Sequence, residues 1–140
     1  MDELRVLEKF FRTQLGTVSE LATCVGTKIY NSFALPKTPF PYDIFTLIPL
    51  NDRTGQARTS IQSRFLVDNK ILSTFPVDAN VSAALAAVKE HFRNSLTFDA
   101  DGFRISVRHE RPIFYVEKGA IADQRILHQG STFAVWMSKT

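Results

Sequence analysis

The spacing of apolar residues switches between a helical and a strand-like pattern three times along this 140-residue chain, and that switching limits the fold class. Residues 2–15 and 79–94 carry apolar side chains every three or four positions, which predicts helices with one buried face. Residues 42–50, 62–72 and 103–108 are apolar runs or alternations, which predict strands. The sequence therefore predicts a single-domain α+β fold, with an antiparallel-rich mixed sheet and helices packed on one face.

Capping residues predict where the N-terminal helices begin and end. Gly16 follows the first apolar stripe, where a helix commonly ends in glycine. Thr17 and Glu20 have the spacing of a capping box, which predicts a short second helix. Gly26 is predicted to end that helix, because glycine adopts a positive φ without strain.

Prolines and polar stretches predict the connections. Pro36, Pro39 and Pro41 exclude a helix and favour an extended path over the surface. Residues 51–60 are polar and predict a long hairpin loop. Residues 98–103 predict a turn that lacks the full donor set of a calcium loop. Pro112 predicts a bulge or a sheet edge.

Composition excludes several classes of partner. The net charge is only +3, and residues 89–125 hold seven basic and six acidic side chains. Such mixed charge is typical of ion pairs rather than of a phosphate-binding track. The chain has no apolar run of 18 residues and no apolar segment at its start, so we expect no membrane partner and no secretory signal. The single cysteine, Cys24, excludes an internal disulfide and favours a reducing compartment.

No motif in the sequence points to catalysis. His91, His109 and His128 lack metal-ligand spacing. His109 and His128 would meet only across strands, joined by Glu110 or Glu117, and surface or interface positions explain all three histidines more simply. Phosphate-binding loops and nucleophile elbows are missing from the sequence. We therefore expect no enzyme activity and no catalytic, cofactor or metal site.

One segment resembles a known family. A short helix ends in Val25-Gly26, a Lys28-Ile29-Tyr30 turn follows, and Leu35-Pro36 and Pro41-Tyr42 lead into a strand. This order resembles the opening of phage tail-completion proteins, also called tail terminators. The later order of a hairpin, a long helix and further strands is similar as well. The motif itself covers residues 19–42.

The resemblance implies a structural role in a virion. Members of that family are small α+β subunits that close a ring, typically a hexamer, on the head-proximal end of the tail tube. The implied partners are copies of this chain, the tail tube protein, a head-completion, stopper or connector protein and, in a contractile tail, the sheath. DNA would only pass through the channel, and assembly would take place in the host cytoplasm.

Two other functions are compatible with the sequence. The chain could be another neck or connector protein of the same particles. It could also be a small ligand-binding α+β domain or an enzyme, although no convergent polar cluster is visible for that role.

A ring needs a heterologous contact, for which the proline segment and a strand edge are the best candidates. Aromatic residues would anchor this contact, arginines would pair with a neighbour's carboxylates, and the polar loop would touch a neighbour or the tube. Trp136 fits a core position and an interface position equally well. The predicted interface residues are Phe33, Phe40, Tyr42, Arg53, Arg58, Arg104, Arg108, Arg111, Glu110, Glu117 and Trp136.

Overall fold

A computed structural model of the chain describes residues 2–54, 60–74, 78–94, 97–119 and 123–140. The helices and strands are α1 (Asp2–Gly16), α2 (Ser19–Val25), β1 (Ile29–Asn31), β2 (Tyr42–Thr54), β3 (Ser60–Thr74), α3 (Ala79–Asn94), β4 (Thr97–Ala100), β5 (Phe103–Lys118) and β6 (Arg125–Lys139). None of these helices is long and apolar enough to cross a membrane.

The strands form one six-stranded sheet in the order β1-β2-β3-β6-β5-β4. Two long hairpins, β2–β3 and β5–β6, lie side by side, and β3 pairs with β6 to join them. Every described pairing is antiparallel except that of β1 with β2. The predicted α+β class is therefore confirmed.

All three helices pack on one face of the sheet, and the core lies between them and it. Phe92 of α3 is central, with ring centroids 5.3 Å from Phe11 of α1 and 5.1 Å from Phe133 of β6. Alternate residues of four strands complete this layer: Phe45, Phe65, Val67, Ile71, Phe103, Ile105, Val107, Val135 and Met137. We call the opposite face of the sheet the open face.

The helix ends differ in part from the prediction. Gly26 ends α2 with a φ of +65°, as predicted. The capping box is wrong, because the Thr17 hydroxyl donates to the Gln14 carbonyl at 2.7 Å, and Val18 stands at the N-cap without a side-chain bond. Gly16 is still part of α1. The Thr17 hydroxyl therefore caps the end of α1 instead of the start of α2.

The strands are longer than the sequence indicates. Strand β2 continues to Thr54 and β3 begins at Ser60, so the predicted ten-residue loop is wrong; residues 55–59 lie outside the described ranges. Residues 98–100 form β4 instead of a turn, and β1 was not predicted. In each case pairing with a neighbouring strand outweighs a polar or short local sequence.

A bulge in β5 changes which residues face the helices. His109 pairs with Phe133 and Arg111 pairs with Thr132, so Glu110 is an additional residue in the strand. Such an insertion shifts the alternation of side chains by one position. Odd-numbered residues up to His109 therefore face the helices, and odd-numbered residues from Arg111 onward lie on the open face.

One carboxyl group is enclosed in the core. Asp43 lies on the helix side of β2 and is 0% exposed. The Asn69 side-chain amide donates to both of its oxygens, at 2.9 and 2.7 Å. Burial raises the pKa of Asp43 to about 8, because the charged form loses its hydration, although the bonds from Asn69 act in the opposite direction. The folded protein therefore holds a proton on this group that the unfolded chain releases near pH 4.

We predict that Asp43→Asn stabilises the protein at high pH. Since the pKa of Asp43 is higher in the folded state, the wild type loses free energy of unfolding as the pH rises from about 4 to about 8. The variant has no such proton to lose. Its advantage over the wild type should grow by at least about 1.4 kcal/mol over that range, measured by urea unfolding at each pH. Asp99→Asn, at an exposed carboxylate, is the control, and an equal gain there would contradict this explanation.

Candidate subunit interface

The sheet has a free strand edge on each side. Strand β4 pairs only with Phe103–Ser106 of β5, and β1 pairs only with Asp43–Phe45 of β2. Within the described part of the chain, β5 beyond Ser106 and β2 beyond Phe45 have no partner strand on their outer sides. Their outward backbone amides and carbonyls are therefore available to another chain.

The free edge of β5 is the more apolar of the two. From Glu110 to Lys118 every residue except Ile113 is exposed. Phe114 is 63% exposed, Tyr115 45% and Val116 51%. Three adjacent exposed apolar residues on an unpaired edge are unusual for a protein that stays monomeric. The β5 edge is therefore the first candidate for a subunit contact.

The free edge of β2 has a similar character. Ile48 is 37% exposed and Leu50 is 46% exposed. Pro49 has no backbone N–H, so it removes one hydrogen-bond donor from this edge, and Pro112 does the same on β5. Proline in a sheet is largely confined to edge strands. Each edge therefore combines a short apolar stretch with a proline, which limits pairing with unrelated strands.

The directions of the two edge strands are compatible with pairing. Three successive antiparallel pairings separate β2 from β5, so these strands run in opposite directions in the same sheet. Two copies in the same orientation, offset along the strand direction, would therefore bring the free part of β5 of one against the free part of β2 of the next as an antiparallel pair. That is a heterologous contact, and repeated by rotation it closes a ring or continues as a helix.

The proline segment adds an exposed aromatic surface beside β1 and β2. Phe33 is 71% exposed. Phe40 stacks on Tyr42 with ring centroids 5.4 Å apart, and both are half-buried. The Lys28 ammonium donates to the Pro39 carbonyl at 3.0 Å and holds the segment to the start of β1. Phe33 is thus the freest of the three predicted anchors.

The register places the three predicted arginines of β5 on the open face. Arg104, Arg108 and Arg111 pair with Ser138, Ala134 and Thr132, which alternate along β6 on that face. Arg111 lies there only because of the bulge. Arg53 lies in β2 with its side chain outside the description, and Arg58 lies outside the described residues.

The two predicted carboxylates contact groups of their own chain. Glu110 lies 3.7 Å from Arg108, and Glu117 lies 2.8 Å from His128. A neighbour's arginine would have to replace these contacts. Trp136 lies half-buried on the open face, whereas Phe133 is fully buried in the core. The core alternative for Trp136 is therefore wrong.

The histidines do not form a common site. His91 bonds to the Gln14 side chain at 2.8 Å. His109 lies on the helix side and His128 on the open face, so they do not meet. His128 is 4% exposed and stacks on Tyr115 at 4.2 Å, so a surface position is wrong for it. Burial lowers the pKa of His128 more than the bond to Glu117 raises it.

Metal sites and clefts in the described ranges offer little support for binding or catalysis. No three potential metal ligands cluster there. An open cleft of about 460 Å³ lies between α1 and the β4–β5 turn. Its charged groups are Arg5, Lys9, Lys139 and Asp101, and Lys9 already contacts Asp101 at 3.5 Å. Lys9 and Asp101 are both largely exposed, so this cleft does not enclose a reactive pair.

Sequence reasoning missed the apolar edge residues. The sequence predicts a strand at Ile113–Glu117, but nothing in it marks Ile113–Val116 as uncovered. The available signal was an unbroken apolar run after Pro112, in a strand that had alternated strictly until then. A run of that kind predicts cover on both faces, whereas in the single chain Phe114 and Val116 on one face and Tyr115 on the other are exposed.

Comparison with known proteins supports the fold. No protein-family model and no curated protein sequence matches the chain. One solved structure superposes with a TM-score of 0.57 at 12% sequence identity, over 99% of this chain and 96% of the other. The name of that protein states no activity or partner. The likeness therefore shows a shared fold over almost the whole length.

We predict that Phe114→Lys weakens self-association without unfolding the subunit. Phe114 is mostly exposed in the single chain, so its loss should change the free energy of unfolding by less than about 1 kcal/mol. A lysine in a subunit contact would have to be buried, which is costly. The mean mass in light scattering should fall towards that of one chain. Ala86→Lys, at an exposed site on α3, adds the same charge and should leave the mass unchanged.

Proposed function

We propose that this chain is a ring-forming virion protein that caps the head-proximal end of a phage tail tube. The ring ends tube growth and offers a docking surface for the head's connector. The observation that carries the proposal is the pair of free edges on β2 and β5, one on each side of every subunit. A ring made of one kind of chain needs two different contact surfaces of this kind.

The size and chemistry of the edges support an assembly role. The free part of β5 from Glu110 to Lys118 is nine residues long and could contribute a full strand pairing. Phe114 and Val116 would gain cover from the neighbour, and each apolar side chain buried in this way contributes about 1.5–3 kcal/mol. Backbone pairing would supply affinity and fix the orientation of the neighbour, and burial of these apolar side chains would add to the affinity and give the contact its specificity.

The family resemblance supports the choice of a tail terminator among ring proteins. The segment that carries it corresponds to α2 ending at Gly26, to β1 at Lys28-Ile29-Tyr30, and to the extended path into β2 at Tyr42. These parts lie together at the β1–β2 edge of the sheet. The resemblance and the free β2 edge therefore concern the same side of the subunit.

The decisive measurement is the mass and shape of the purified full-length chain. We expect native mass spectrometry to give a closed oligomer, with six copies as the expected number, and negative-stain images to show rings with a channel. Rings mixed with growing tail tubes of the same virus should bind at one end and stop elongation. Phe40→Ala should weaken the ring more than Arg108→Ala, because exposed ion pairs contribute only about 0–1 kcal/mol.

Other outcomes would exclude this function. Rings that bind a connector but not a tube would indicate a stopper or head-completion protein instead. A stable monomer at high concentration, with no ring in the presence of tubes, would refute the ring itself. Unfolding of the Phe40→Ala subunit would place Phe40 in the core and remove it from the interface.

A further inference from the structure

Cationic side chains from two strands collect on the open face of the sheet. Among the side chains that the structure describes, the register places Arg64 and Lys70 of β3 and Arg104, Arg108 and Arg111 of β5 on this face. Strand β6 lies between β3 and β5, so the two groups flank a central strip. Cations that lie far apart in the sequence are therefore brought onto one face, together with several carboxylates, which the sequence alone does not show.

The sole tryptophan lies between two of these arginines. The guanidinium carbons of Arg64 and Arg108 are 5.9 and 5.1 Å from the ring of Trp136. The arginines come from the strands on either side of β6. Arginine that stacks on an aromatic ring uses its flat face and keeps its N–H groups at the edge free to donate. The pair is thus held in place beside the ring, and Arg108 also contacts Glu110 at 3.7 Å.

A second cation is positioned in the same way further along the face. The Lys70 ammonium is 5.1 Å from the Tyr115 ring centroid and donates to the Tyr115 hydroxyl at 2.6 Å. Lys70 reaches across β6 at Gly130, its direct partner in the sheet, which has no side chain to obstruct it. Ordered cations bind an anion with less loss of side-chain entropy than free ones.

The carboxylates on this face are already engaged. Asp68 accepts a hydrogen bond from the Thr132 hydroxyl at 2.7 Å. Asp99 contacts Arg104 at 3.4 Å, Glu117 contacts His128, and Glu110 of the bulge contacts Arg108 at 3.7 Å. Among the described side chains, none of these acids contacts Arg64, Lys70 or Arg111. The face therefore has cationic groups left for an external anion.

We infer that the open face binds the sugar–phosphate backbone of double-stranded DNA through Arg64, Arg108, Lys70 and Arg111. Guanidinium groups match phosphate oxygens with two parallel hydrogen bonds. Several cations on one surface fit a polyanion with repeated phosphates better than a single small anion. Backbone contacts of this kind do not distinguish base sequence.

Geometry explains why DNA would meet this face. In a ring of sheets joined edge to edge, the layer outside the sheet has the longer circumference. The three helices would occupy this wider outer layer, so in such a ring the open face would line the channel. This placement rests on the proposed ring, whereas binding of DNA to the open face can be measured on any form of the purified chain.

Trp136 gives a local readout, because it is the only tryptophan in the chain. Titration of the full-length protein with a short duplex oligonucleotide should change the Trp136 emission. The change should reverse when salt is raised from about 50 to about 200 mM, since phosphate contacts release counterions. Binding that leaves the emission unchanged would overturn the proposal, because the contact would lie elsewhere.

Charge-matched variants test the assignment of residues. Arg64→Gln with Arg108→Gln should weaken duplex binding at least about tenfold, and should lower the slope of log K against log salt by about 2. Lys89→Gln with Arg93→Gln removes the same charge from α3 and should have little effect. Equal loss in both double variants would overturn the proposal in favour of non-specific attraction.

An acidic polypeptide tests whether the open face binds an acidic protein surface instead of DNA. Poly-glutamate should bind the wild type more weakly than duplex DNA and should change the Trp136 emission less. Stronger binding of poly-glutamate would overturn the DNA assignment and indicate an acidic protein surface. If the arginine variants fail to fold, the Trp136 titration and this comparison still decide the matter. Loss of ring formation with DNA binding intact would refute the proposed ring alone.

Discussion

The pairing of β3 with β6 is the interaction on which the rest of the structure depends. It joins Ser63–Thr74 to residues more than 50 positions later in the chain, and it unites two hairpins that are otherwise local. Each hairpin alone would be marginally stable in water. Once paired, they form a surface wide enough for all three helices to cover, with Phe92 packed between Phe11 and Phe133.

This central pairing also leaves the two hairpins' outer strands at the sides of the sheet. Strands β1 and β4 are three and four residues long and cover only part of those sides. The face of the sheet toward the helices is covered by the core, the two edges of the sheet retain free backbone groups, and the open face carries the stacked cations. Three surfaces of one sheet are thus chemically distinct, and one subunit can contact different partners on each.

The sequence predicted the helices and the fold class because the spacing of apolar residues shows which face of a helix or strand is buried. Helix α3 was predicted over its full length from one apolar stripe. The sequence did not predict β1, β4 or the continuation of β2 to Thr54, because these segments are short or polar and are stabilised by pairing with a neighbouring strand. It also missed the buried pair of Asp43 and Asn69, which are polar residues that become core residues only when β2 and β3 align.

The candidate interface was predicted less completely, for a related reason. Phe33 and the arginines of β5 were recognised from local sequence, but the 63% exposure of Phe114 depends on which part of β5 the rest of the fold leaves uncovered. The contacts of Glu110 and Glu117 with Arg108 and His128 likewise depend on register and on the bulge.

The bulge at Glu110 gives β5 a tolerance to changes in length. Because one residue is in excess there, loss of Glu110, Arg111 or Pro112 still leaves enough residues to pair Ile113 with Gly130 as now. The ladder would become regular, and every residue after it would keep its face. A deletion further along β5 has no extra residue nearby that could take the place of the lost one. This short stretch is therefore the place where related chains can differ by one residue without exchanging the two surfaces of the strand.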